Sequence, residues 1–144
     1  QVIARAWVDD QFREDLLNDA SAAIAVYQFE GGQVEKLVVV ENTATVHNVV
    51  VCTLCSCYPW ALLGLPPKWY KDPEYRSRVV KEPRKVISEM GFDVAAGKSV
   101  KVWDSSAEIR YLVLPQPPEN LQSYNENDLT GLVSRDGMIG VAER

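Results

Sequence analysis

All three cysteines of this chain fall inside one short segment, Cys52-Thr-Leu-Cys55-Ser-Cys57. A disulfide scaffold spreads its cysteines along the chain so that they staple distant segments. A cluster this tight cannot do that, and an odd number leaves one thiol over. The fold must therefore be held by an apolar core. At 144 residues, 47% of them hydrophobic, the chain is long enough to build one. It reads as a single domain over residues 1–144.

The pattern around the cluster predicts the elements. Asp9 is an N-cap candidate, and Phe12, Leu16, Leu17, Ala20 and Ile24 recur at helical spacing, so the first third reads as helix, closed by Gly31-Gly32. Lys36 to Glu41 and Thr45 to Val51 are β-branched runs and read as strands, joined by a turn at Asn42-Thr43-Ala44. The cysteines therefore follow directly on a strand end. Pro59, Pro66 and Pro67 forbid a long helix after them. Short helices are expected over Asp72 to Val80, Glu82 to Met90 and Glu126 to Val133, and strands over Val100 to Trp103 and Glu108 to Leu114. Gln116 to Tyr124 reads as a polar connection. This order predicts an α+β domain in α/β/β/α layers, with the cysteine loop following a strand end.

Charge excludes some partners. With 20 acidic and 15 basic residues and no long basic run, nucleic acid is not expected. The longest apolar stretch, Val49 to Leu54, is far too short to span a membrane. Clustered thiols with no visible signal peptide fit a cytoplasmic setting. The chain opens at Gln1 rather than Met, as a trimmed chain or a fragment would.

The cysteine spacing can be treated as a chelate problem. The Cys57 sulfur and its own amide nitrogen close a five-membered ring on a metal. The Ser56 and Cys57 nitrogens close another, and the Ser56 nitrogen with the Cys55 sulfur closes a six-membered one. Cys55-Ser56-Cys57 can thus supply two sulfurs and two nitrogens in one plane. Cys52 can bring its sulfur to an axial position, which leaves one octahedral site open. Deprotonated amides need a strongly polarising ion, so a small trivalent ion suits, cobalt(III) or iron(III). Zinc prefers a tetrahedron of side chains. On spacing alone, a zinc or copper thiolate site, or three thiols packed as small hydrophobes, stay open. His47, the single histidine, lies within a strand pattern and reads as structural.

Val51-Cys-Thr-Leu-Cys-Ser-Cys-Tyr-Pro-Trp60 resembles the metal-binding motif of the nitrile hydratase α subunit. The likeness continues through Val39 to Thr43, Leu63 to Pro67, Trp69-Tyr70, Tyr75 to Val80, Glu82 to Arg84, Val102 to Pro115 and Met138 to Gly140. The resemblance implies that one cobalt(III) ion binds Cys52, Cys55, the Ser56 amide and Cys57. It also implies that Cys55 is a sulfinic acid and Cys57 a sulfenic acid. Thr53 and Tyr58 match the cobalt type; Ala61 departs from a proline common there. The implied reaction is hydration of a nitrile to an amide, with the Cys57 sulfenate oxygen favoured as nucleophile over water. Asp104 and Glu108 resemble acids that support such sites, Arg110 is placed to orient Glu108, and Tyr58 and Trp60 are expected to wall the pocket. A β subunit is implied, supplying arginines to the oxidised sulfurs within a larger hetero-oligomer. The helical N-terminal arm usual in the family is missing from this sequence. Rival readings are a thiocyanate hydrolase subunit, a hydratase of nucleoside nitriles such as toyocamycin, a metal-binding module that never turns over, and a zinc-stabilised domain.

Overall fold

A computed structural model describes residues 2–24, 36–53, 63, 66–106 and 108–144. The N-terminal region forms helices α1 (Val2–Val8), α2 (Asp10–Asn18) and α3 (Ala20–Ile24). Asp9 caps α2, its carboxylate accepting from the Phe12 amide, as the sequence predicts. What reads as one helical region is broken at Asp9 and Asp19. Each aspartate accepts from an amide three residues on, so each starts a new helix. The predicted Gly31-Gly32 stop lies outside the described residues.

Strands β1 (Leu37–Glu41), β2 (Val46–Val51), β3 (Ser99–Asp104) and β4 (Arg110–Leu114) follow the predicted runs closely. The last starts two residues later than expected, because Ser106 and Ile109 exchange hydrogen bonds and close the loop first. Helices α4 (Pro73–Lys81) and α5 (Pro83–Glu89) lie between β2 and β3, and each begins with proline, whose missing donor costs nothing there. Helix α6 (Glu126–Leu132) opens on a capping box made by Asn125 and Asp128. Helix α7 (Arg135–Ile139), started by Ser134, is one the periodicity does not reveal, being too short to show a repeat.

Among the described residues the strands pair in two parallel ribbons, β1 with β4 and β2 with β3. Their alternation builds the layers. Leu37, Val39, Leu112 and Leu114 turn one way, onto α1, α2 and α6. Val40 and Val113 turn the other way and meet Val50, with Val38, Tyr111 and Trp103 beside them. Val49 and Val51 turn away from that seam, onto α4 and α5 through Val79, Val86 and Ile87. The period-two switch of faces therefore gives helix, sheet, sheet, helix, the α/β/β/α arrangement expected. No helix among the described residues is long and apolar enough to cross a membrane.

Candidate metal centre

Cys52 is the residue immediately after β2. It is fully buried and belongs to the apolar cluster of Val49, Val51, Tyr70, Tyr75 and Val79. A buried thiol at the end of a paired strand has little freedom, because the backbone leading to it is fixed by the β2–β3 ladder. Cys55, Ser56, Cys57, Tyr58 and Trp60 lie outside the described residues, so Cys52 is the one expected ligand whose surroundings can be given. Among the described residues no three histidine, cysteine or carboxylate side chains converge as a metal-binding group. That is the expected result where four of the five ligand groups, on Cys55, Ser56 and Cys57, fall beyond them.

Asp104 ends β3 and pairs in register with Val51, which places its carboxylate beside the first residues after β2. One oxygen accepts from the Thr53 amide at 2.9 Å and the other from the Thr53 hydroxyl at 2.6 Å. An exposed carboxylate thus clamps the residue after Cys52. On its other side, the Ser105 amide donates to the Val51 carbonyl at 2.7 Å. Ser105 is itself buried and its hydroxyl accepts from the Tyr111 amide, which ties β4 to the segment after β3. Glu108 is exposed, ahead of β4, and makes no hydrogen bond or ion pair among the described residues. Asp104 and Glu108, four apart in sequence, are therefore placed differently: one clamps Thr53, the residue after Cys52, and the other faces solvent. Among the described residues no ion pair joins Glu108 to Arg110, so the orienting role expected of that arginine is not seen.

Beside Thr53, a groove of about 320 Å³ runs along α4, lined by Pro73, Arg76, Ser77, Val80 and Lys81. A larger cavity, about 530 Å³, lies at the opposite end of β2, against His47, Phe92, Lys98 and Arg144. Size alone would point to the larger one. Cys52, the described residue of the expected metal-binding motif, follows the far end of that strand. His47 is buried, with Nε2 at 2.7 Å from the Gly140 carbonyl, in keeping with the structural role expected of it. Two contacts at this strand end were not legible in the sequence, although Asp104 itself was expected as a site residue. The partnership of Thr53 with Asp104 spans 51 positions, and the bond from the Tyr75 phenol to the Val50 carbonyl spans 25. Neither leaves a local signal.

A sequence model described as the nitrile hydratase alpha chain matches residues 1–142. The chain belongs to that family. It is similar to the low-molecular weight cobalt-containing nitrile hydratase subunit alpha of Rhodococcus rhodochrous, with 53% identity over 142 residues, 99% of this chain and 69% of that one. Thiocyanate hydrolase subunit gamma of Thiobacillus thioparus is a more distant relative, 37% identical over 153 residues, covering 99% of this chain and 63% of that one. Among solved structures, a double mutant of the Fe-type nitrile hydratase from Comamonas testosteroni Ni1 superposes with a TM-score of 0.92. It is 40% identical and spans 97% of this chain and 68% of that one. The α+β fold and the family resemblance read from the sequence are thus both upheld.

Proposed function

We propose that this chain is the α subunit of a cobalt nitrile hydratase and hydrates nitriles to amides at the Cys52–Cys57 loop. The observation that carries this reading is its likeness to a cobalt-containing α subunit over 99% of its length, with the whole cysteine pattern present. The Fe-type relative is less similar, at 40% identity, which favours cobalt. The described residues fit such a centre. Cys52 offers a sulfur shielded from water at a fixed strand end, and Asp104 immobilises the next residue.

In this reading the metal ligands are Cys52, Cys55, Cys57 and the amide nitrogens of Ser56 and Cys57. Trivalent cobalt held there supplies Lewis acidity toward the nitrile nitrogen. Cys55 is carried as sulfinate and Cys57 as sulfenate. The Cys57 sulfenate oxygen would add to the nitrile carbon as one carbon–nitrogen π bond breaks. A water would then give its two protons to nitrogen and its oxygen to the Cys57 sulfur as the old S–O bond breaks, releasing the amide and restoring the sulfenate, while the Ser56 hydroxyl would bond the oxidised sulfurs. Tyr58 and Trp60 wall the substrate. Asp104 acts through Thr53, as a positioning residue. Glu108, exposed and without a partner among the described residues, is available to a second subunit. That subunit is a β chain whose arginines bond the sulfur oxygens, within a larger hetero-oligomer in the cytoplasm.

The test is to purify the chain with its β subunit, load cobalt, and assay a small aliphatic nitrile against thiocyanate. Mass analysis of the cysteine peptide should show two added oxygens on Cys55 and one on Cys57. Cys57→Ser should abolish cobalt retention and turnover together. Zinc in place of cobalt, no visible absorption and unmodified cysteines would sink the reading. Turnover of thiocyanate alone would move the chain to the branch of the 37% identical relative.

A further inference from the structure

Tyr75 sits near the start of α4, two residues after its first proline. Its ring is buried, edge-on to Trp69 with centroids 4.9 Å apart and tilted against Tyr70 at 6.1 Å. It shares one apolar cluster with Cys52. Its phenol donates to the Val50 carbonyl at 2.9 Å.

That carbonyl needs a partner. Carbonyls alternate in direction along a strand, and the Val51 carbonyl is the one that accepts from Ser105, on the β3 side. The Val50 carbonyl therefore points away from β3, toward α4, in a part of the core closed to water. A buried backbone acceptor left unpaired is strongly disfavoured. The phenol satisfies it, and in doing so ties the strand to the helix just before the cysteine.

The holds around Cys52 then form a set. Tyr75 grips the Val50 carbonyl, Ser105 the Val51 carbonyl, and Asp104 the Thr53 amide and hydroxyl. They come from α4, from the segment after β3, and from the last residue of β3. Two of them fix the strand end in the plane of the sheet. The phenol bond is the one that fixes it relative to the helix layer.

We infer that Tyr75 is a positioning residue for the Cys52 sulfur, its bond to Val50 setting where the strand end presents that sulfur to the cobalt. This rests on the function proposed above. Sulfur-to-metal distance governs both the charge-transfer absorption and how strongly the metal polarises a bound substrate. Loosening the anchor should therefore move the spectrum and kcat, and leave KM nearly alone.

The experiment compares wild type, Tyr75→Phe and Ile87→Val in the cobalt-loaded α–β complex. Ile87 lies in the same cluster on α5 and takes part in none of these hydrogen bonds, so it reports a simple loss of packing. The expected result for Tyr75→Phe is a shifted charge-transfer band, a several-fold lower kcat with similar KM, and faster cobalt loss to a chelator. Ile87→Val should lower the melting temperature without moving the band. A Tyr75→Phe enzyme with the wild-type band and kcat, differing only in melting temperature, overturns the inference. Should the Phe complex not fold, a ring-fluorinated tyrosine at position 75 keeps shape and donor but alters the bond; a moved band supports the inference and an unmoved one overturns it. A wild-type complex with no cobalt band overturns the function reading instead, and this inference with it.

Discussion

Lowering the pH should weaken this protein through one histidine, and the structure says how. His47 Nε2 lies 2.7 Å from the Gly140 carbonyl, which can only accept, so Nε2 carries the hydrogen. Nδ1 faces the Asn42 side-chain nitrogen at 3.3 Å. The Asn42 amide is fixed in orientation, because its oxygen accepts from the Asn48 amide at 2.7 Å and from the Asn48 side chain at 3.0 Å. Nδ1 must therefore accept. Protonating it would set two donors face to face inside the core. Burial is the main cause that pushes the His47 pKa below the ordinary histidine value; Lys98 and Arg84 push the same way, and the bond to Gly140 opposes them. The sign follows. Above about pH 6.5 both folded and unfolded chains hold neutral imidazole, and no stability is lost. As pH falls below that value the unfolded chain takes a proton the folded chain refuses. Stability then drops by up to about 1.4 kcal/mol per pH unit, the limit for one proton, until the folded pKa is reached. Against a total of roughly 5–15 kcal/mol this is a large fraction. The assay is the denaturation midpoint of the purified protein between pH 7.5 and 5.5, for wild type and His47→Gln, with imidazole NMR on selectively labelled chain. The chain has one histidine, so the signal is unambiguous. A wild-type imidazole that titrates at its ordinary value, or a variant with an unchanged slope, refutes the argument.

Other expectations are as direct. Gly140→Ala should be costly: φ is +105°, and an added Cβ would stand 2.2 Å from the Asn48 carbonyl oxygen. The strain term alone is about 1–3 kcal/mol, read as a fall in Tm of about 2–4 °C per kcal/mol. Asp104→Ala removes both holds on Thr53 and should weaken cobalt retention by roughly 10–100-fold, as loss of groups that orient metal ligands does; a chelator-release assay checks it, and unchanged release would be a contrary result. Arg13→Met breaks a bidentate pair with Glu41 whose side chains are 39% and 23% exposed. Water screens that pair, so the expected loss is about 1 kcal/mol and should shrink in high salt.

The strands and most helices were legible because each depends on local pattern. The β-branched runs at 36–41 and 45–51, the prolines opening α4 and α5, and the Asp9 cap all act within a few residues. Helix α7 escaped notice because five residues cannot display a period. The separation of Asp104 from Glu108 was equally hidden. Spacing on an extended segment suggests a shared face, whereas the bonds between Ser106 and Ile109 turn the chain and leave Glu108 in solvent.

The sequence alone determined which sulfurs and amides of the cysteine segment are spaced so that they could reach one ion, since that is a matter of covalent geometry. It also determined the layer order, which follows from side-chain alternation along each strand. Tertiary structure alone decided which groups hold the end of β2 and the two residues after it. Asp104, Ser105 and Tyr75 reach Thr53, Val51 and Val50 across tens of residues. Such partnerships arise only when separate elements pack, because a hydrogen bond senses distance and angle in space and has no memory of position along the chain.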